Sequence, residues 1–229
     1  MVTARALAAS LLLGWAASAA AAPFSNGSFE AASVDPGSNF ITLPAGDTSI
    51  ASWVVVTGNI DFIGTYWQAA DGNNSVDLVG NQNVGAIAQT FDTIPGSTYR
   101  VSFALAGNPE GPPTIKPLTV TVAGVTQNYS FDITGHSDPS MGYVTQSFDF
   151  VATGTSSTLQ FTSDTGTDCC WGAVIDNVTV VLLAAPSASP VPLDWAHWLA
   201  LPGILAMAGL FLRRRKNVAP ARLPRGSPR

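Results

Sequence analysis

Between residues 22 and 183, apolar and polar side chains alternate with a period of two in short runs, and no stretch carries a helical stripe. That period sends successive side chains to opposite faces of an extended chain, so each run reads as a strand with one buried face. The runs fall at 27–31, 52–56, 60–65, 75–79, 86–91, 99–106, 118–122, 127–133, 143–151, 158–162 and 173–182, separated by Asn-Gly, Pro-Gly, Asp-Gly, Ala-Gly and Thr-Gly turns. Strands this short and numerous, with no helical patterns between them to make parallel crossovers, predict an all-β fold: an antiparallel β-sandwich of the jelly-roll kind.

The two ends follow different rules. Residues 1–21 hold one base, Arg5, then an apolar run and a string of small residues, which is the pattern of a secretory signal peptide. Residues 184–194 form a Pro/Ser/Ala linker, too poor in large apolar groups to build a core. Residues 195–212 are uncharged and, as a helix of about 27 Å, match the hydrocarbon thickness of a bilayer. Arg213, Arg214, Arg215 and Lys216 open a basic tail over 213–229, which predicts a cytoplasmic C-terminus and a sandwich facing outward, as an exported, membrane-anchored domain.

Charge narrows the partners. The net charge of −5 hides two regions of opposite sign: residues 22–184 contain only Arg100 and Lys116 against fourteen acids, a balance of −12. Nucleic-acid binders neutralise phosphates with Lys and Arg, so this body is expected to bind no nucleic acid.

Five ordered segments carry a family resemblance: Asn26-Gly27-Ser28-Phe29-Glu30, then GTYWQAADGNNSVDLVG at 64–80, PGSTYRVSF at 95–103, LAGNP at 105–109 and AVIDNVTV at 173–180. Together they resemble the bacterial choice-of-anchor C family. Its domain is similar to plant cell-wall proteins with paired galactose-binding-like domains and, more loosely, to carbohydrate-binding modules of glycoside hydrolases. The segment Ser189-Pro190-Val191-Pro192-Leu193, the apolar span and the basic cluster resemble a VPLPA-type exosortase sorting signal, which implies a sorting enzyme as a partner. Asp194, Trp195 and a tail of 13 residues after Lys216 depart from that pattern.

The resemblance to carbohydrate-binding modules implies a structural Ca²⁺ where the first and last strands meet, carried here onto Asn26, Glu30 and Asp176. The alternative is that Glu30 caps a turn and Asp176 accepts backbone hydrogen bonds. Aromatic rings offer a π-face to the apolar C–H face of a pyranose, and polar neighbours take its hydroxyls. Tyr66, Trp67 and Trp171 lie in Gly-, Asp- and Asn-rich contexts and are the candidate platform, with Asp71 and Asn73 as candidate hydroxyl partners. Trp67 is open to either a core or a platform role, and Trp53, ahead of three valines, reads as core. Cys169 and Cys170 are adjacent and can form a vicinal disulfide, remain free or bridge between molecules. There is no Gly-x-Ser-x-Gly elbow, and His136 sits in a polar turn, so no catalysis is expected. The sequence therefore points to an anchored protein that binds extracellular polysaccharide without acting on it, the alternative being a structural or adhesive protein that binds other proteins.

Overall fold

The computed structural model describes residues 22–81, 84–164 and 170–186. The leader at 1–21, Cys169, most of the linker, the apolar span at 195–212 and the basic tail lie outside them. Among the described residues no helix is long and apolar enough to cross a membrane.

Eleven strands make two antiparallel sheets. The first has six strands in the order β1 (Phe40–Pro44), β3 (Asn59–Ile63), β4 (Ser75–Asp77), β11 (Ala173–Ala184), β6 (Thr98–Gly107) and β9 (Val144–Val151). The second has five: β2 (Val54–Thr57), β5 (Ala86–Asp92), β10 (Ser156–Ser163), β7 (Ile115–Val122) and β8 (Val125–Asp132). The alternation that defined the strands also defines the core. In β7, Lys116, Leu118, Val120 and Val122 point inward while their neighbours stay partly or fully exposed. Phe103 of β6 meets Phe161 of β10 edge to face at 5.1 Å, and Trp53 packs against Phe161 at 6.2 Å, so the two sheets close on a common aromatic centre. Each such ring withdrawn from water contributes about 1.5–3 kcal/mol.

The strand pattern is corrected in three places. Residues 27–31 do not form a strand, because Asn26 (φ 54°) and Phe29 (φ 62°) are left-handed and break the extended chain. The segment is held against β11 by a single backbone bond, the amide of Val178 donating to the carbonyl of Gly27 at 2.8 Å. In the other direction, β1 has no counterpart in the alternation. It occupies a sheet edge, where the missing N–H of Pro44 leaves no ladder bond unmade. The last strand also reaches Ala184, one residue into the stretch read as linker.

Candidate functional site

The seam between the N-terminal segment and β11 is organised around the loop that feeds β4. Asp176, fully buried in β11, accepts the amides of Ala70 (2.7 Å) and Asp71 (2.9 Å) on Oδ2 and that of Asn177 (2.6 Å) on Oδ1. Glu30 accepts the amides of Asn73 and Asn74, both at 2.8 Å, on Oε1, and the Asn74 side chain at 3.2 Å on Oε2. Asn26 accepts the amide of Ala31 at 2.9 Å and donates to the carbonyls of Ala31 (2.9 Å) and Ala51 (2.8 Å). The oxygens of Asn26, Glu30 and Asp176 therefore face N–H donors. Calcium needs six to eight oxygens turned toward one point, and this set fits a hydrogen-bonded clasp instead. Among the described residues no group of three or more His, Cys, Asp or Glu gathers as a metal site. Asp71 and Asn73 belong to this clasp loop through their backbone amides.

The aromatics assemble elsewhere, at the end of the sandwich where β11 begins. A recess of about 430 Å³, counted to its open mouth, is lined by Phe40, Asp61, Ile63, Tyr66, Trp67, Asn81, Asn108, Glu110, Cys170 and Trp171. Three of the five proposed saccharide contacts, Tyr66, Trp67 and Trp171, thus share one site, while Asp71 and Asn73 are not among its lining. Neighbouring residues on a strand would face opposite ways, but Tyr66 and Trp67 lie past the end of β3 in a turn, so both can line the same recess. Trp67 combines the two roles foreseen for it: only 5% exposed, it donates its indole N–H to Ser75 Oγ at 2.9 Å and still contributes to the lining. Tyr66 is half-buried and packs edge to face on Phe40 at 5.8 Å. Its hydroxyl donates to Glu110 Oε1 at 2.5 Å, and that bond, with burial and the negative charges of Glu110 and Asp138, pushes the phenol up to about 12.

Beneath the recess lies a buried polar network that positions its loops. Asp77 accepts the amides of Val79 and Gly172, each at 3.0 Å, on Oδ1, and the Asn108 side chain at 2.8 Å on Oδ2. Asn108 also donates to the carbonyl of Cys170 at 3.1 Å and accepts the amide of Glu110 at 3.0 Å. Lys116, with no exposed surface, donates to the carbonyls of Gly111 (2.7 Å) and Trp171 (2.8 Å). A Cβ on Gly111 would lie 2.3 Å from the Trp171 ring, so only glycine lets the indole lie against that loop. Cys170 is disulfide-bonded, and Cys169, the other cysteine of the sequence, lies outside the described residues. Phe40, Asp61, Ile63, Asn81, Asn108 and Glu110 join the lining without having been expected there. Of these, only Asp61, set between Ile60 and Phe62 in an apolar run, carried a local signal.

Burial pushes Asp77 up to about 8 and Asp176 up to about 7, against the hydrogen bonds that favour their charged forms. Burial lowers Lys116 to about 8, against the attraction of Asp77. Both carboxyls hold a proton more tightly folded than unfolded, so their contribution is complete below the ordinary carboxyl range and is lost as pH rises through about 7 to 8. Above about 8 the unfolded chain binds the extra proton at Lys116, and stability recovers. Calorimetry should show a melting temperature at least about 5 °C higher at pH 5 than at pH 8. A profile that is flat or rising over that interval would contradict the protonation states assigned here.

Residues 22–181 match the profile of a family described as "Protein of unknown function (DUF642)". Halomucin of Haloquadratum walsbyi is 33% identical over 172 residues, which cover 73% of this chain but only 2% of halomucin's length. Among solved structures, a TmCBM61 structure in complex with β-1,4-galactotriose is 16% identical with a TM-score of 0.42, covering 70% of this chain and 97% of that one. The CBM22-1 xylan-binding domain of Paenibacillus barcinonensis Xyn10C is 15% identical with a TM-score of 0.43, covering 66% of this chain and 99% of that one.

Proposed function

Starting from a chain that belongs to this DUF642 family, we propose that its sandwich is a non-catalytic module that holds one ring of an extracellular polysaccharide in the aromatic recess. The observation that carries the reading is the meeting of Phe40, Tyr66 and Trp171 with polar groups around one opening. Aromatic faces take the apolar side of a pyranose, and the polar groups take its hydroxyls. The enclosed part of the recess, about 120 Å³, is smaller than the roughly 300 to 1,000 Å³ of enclosed ligand sites, so it suits part of one ring and not a long stretch of chain.

The finer parts of the reading rest on the sequence. The leader at 1–21, the linker, the apolar span at 195–212 and the basic tail make this an exported, anchored protein, and the five ordered segments suggest a choice-of-anchor C protein offered to a sorting enzyme. Calcium at Asn26, Glu30 and Asp176 is left out, because their oxygens already face N–H donors.

The recess is tested by truncating its platform. In Trp171→Ala, retention on neutral polysaccharide in affinity electrophoresis should weaken at least about tenfold, since stacked aromatic contacts concentrate binding energy. Trp53→Phe, a change confined to the core, should bind like the parent when compared at a temperature where both are folded. Equal retention by Trp171→Ala and the parent would refute the recess as the saccharide site.

A further inference from the structure

We propose that the recess selects its saccharide by charge, preferring a pyranose with a free amino group and rejecting a uronate, and that Asp61 determines this specificity. The inference rests on the saccharide reading above and concerns which class of ring the same site takes. Asp61 is only 7% exposed and lines the recess from β3. The Thr42 hydroxyl donates to its Oδ1 at 2.6 Å and fixes the carboxyl, while among the described residues Oδ2 receives no hydrogen bond. Glu110 is used in the same way, with Oε1 receiving the Tyr66 hydroxyl and, among the described residues, Oε2 receiving no hydrogen bond. The opening therefore carries two carboxyl groups, each with one oxygen that no described residue hydrogen-bonds. Its available donors are neutral. Asn81 receives the Asn59 side chain on Oδ1 at 2.9 Å, which leaves its NH₂ group to donate.

Among the described residues no base lines the recess. Lys116 lies behind it, with its ammonium bonded to the carbonyls of Gly111 and Trp171. A ring bearing –NH₃⁺ would give its donors to Asp61 and Glu110 and lie against aromatic faces that also favour a cation. A ring bearing –COO⁻ would meet two like charges with no cation to compensate them. A neutral ring falls between. Burial raises the Asp61 carboxyl, opposed by the Thr42 bond, so an arriving ammonium would also strengthen the charged form.

The test uses the full-length protein at physiological salt and isothermal titration with three oligosaccharides of equal length: glucosamine, N-acetylglucosamine and galacturonate oligomers. The glucosamine oligomer should bind at least about tenfold tighter than its N-acetylated counterpart, and the galacturonate oligomer should give no measurable heat. In Asp61→Asn that ratio should fall to about one. Asp92→Asn, which removes an exposed charge from β5 outside the recess, should keep it. Glu110→Gln, an exposed substitution, should lower the ratio part of the way and serves if Asp61→Asn fails to fold. Pentalysine should not displace the glucosamine oligomer, which separates ring recognition from general attraction to an acidic body. Equal affinity for the amino and N-acetylated oligomers, an unchanged ratio in both Asp61→Asn and Glu110→Gln, or displacement by pentalysine would overturn the charge selection. Binding of the N-acetylated oligomer that is lost in Trp171→Ala would leave the saccharide reading standing in each of those cases. No binding of any oligomer would remove both.

Discussion

Gly27→Ala should destabilise the fold by about 3–5 kcal/mol, a large part of the roughly 5–15 kcal/mol that holds a domain together. A Cβ built on Gly27 would lie 1.7 Å from the carbonyl oxygen of Val178 and 2.7 Å from its carbon. Both atoms are backbone, so no rotamer change relieves the overlap. The same two residues are joined by the Val178 amide and the Gly27 carbonyl at 2.8 Å, and parting them breaks that bond. The consequences extend inward, since the carbonyl of neighbouring Asn26 accepts the Trp53 indole N–H at 2.9 Å and Phe29 is fully buried. Thermal denaturation should show a fall of about 10 °C or more for a domain of this size. Gly124→Ala is the control: its φ is +81° but nothing lies within 4 Å of a Cβ there, so it isolates backbone strain from collision. Equal losses in the two variants would mean that the close approach at Gly27 is unimportant.

Lys116→Met should cost about 2–4 kcal/mol and also weaken saccharide binding. The stem of Lys116 crosses Gly107 of β6, where a Cβ would lie 2.5 Å from Lys116 Cγ, and methionine keeps most of that volume. The change therefore removes chiefly the ammonium. Two carbonyls, those of Gly111 and Trp171, lose their donor. Because those carbonyls belong to the two loops that hold the Trp171 ring, stability and affinity should fall together. Denaturant titration and saccharide titration on the same protein check both. A loss below about 1 kcal/mol with unchanged affinity would show that the loops hold themselves.

Most strands were legible because alternation is a direct consequence of one face being buried. The run at 118–122 grew into β7 and that at 158–162 into β10 without change of register. The exceptions have local causes. Phe40-Ile41-Thr42-Leu43-Pro44 lacks alternation and ends in proline, so only its edge position makes it a strand. Asn26-Gly27-Ser28-Phe29-Glu30 reads as a strand, yet its two left-handed residues serve a close approach to a chain segment about 150 residues away, which no local pattern encodes.

The site divides in the same way. Tyr66, Trp67 and Trp171 stood out as aromatics in turn-like surroundings, and the fold brings them together. Asn108 and Glu110 were two polar residues among many until tertiary structure placed them at one end, whereas Asp61 was marked by its place inside an apolar run. Lys116 is instructive because the information was present: it shares the inward parity of Leu118, Val120 and Val122, so a charged residue on the buried face of β7 could have been read from spacing alone.

The course of β11 has a mechanical consequence. It begins at Ala173, two residues after Trp171, and ends at Ala184 some 40 Å farther on if fully extended, paired with β6 from Gly107 to Thr98. A ligand held at the recess and a tether attached beyond Pro186 would pull near opposite ends of this strand. The ladder bonds lie across the strand axis, so tension along it loads them side by side in shear instead of unzipping them one by one. A module tugged between a polymer and its attachment point would resist through the whole β11–β6 ladder at once.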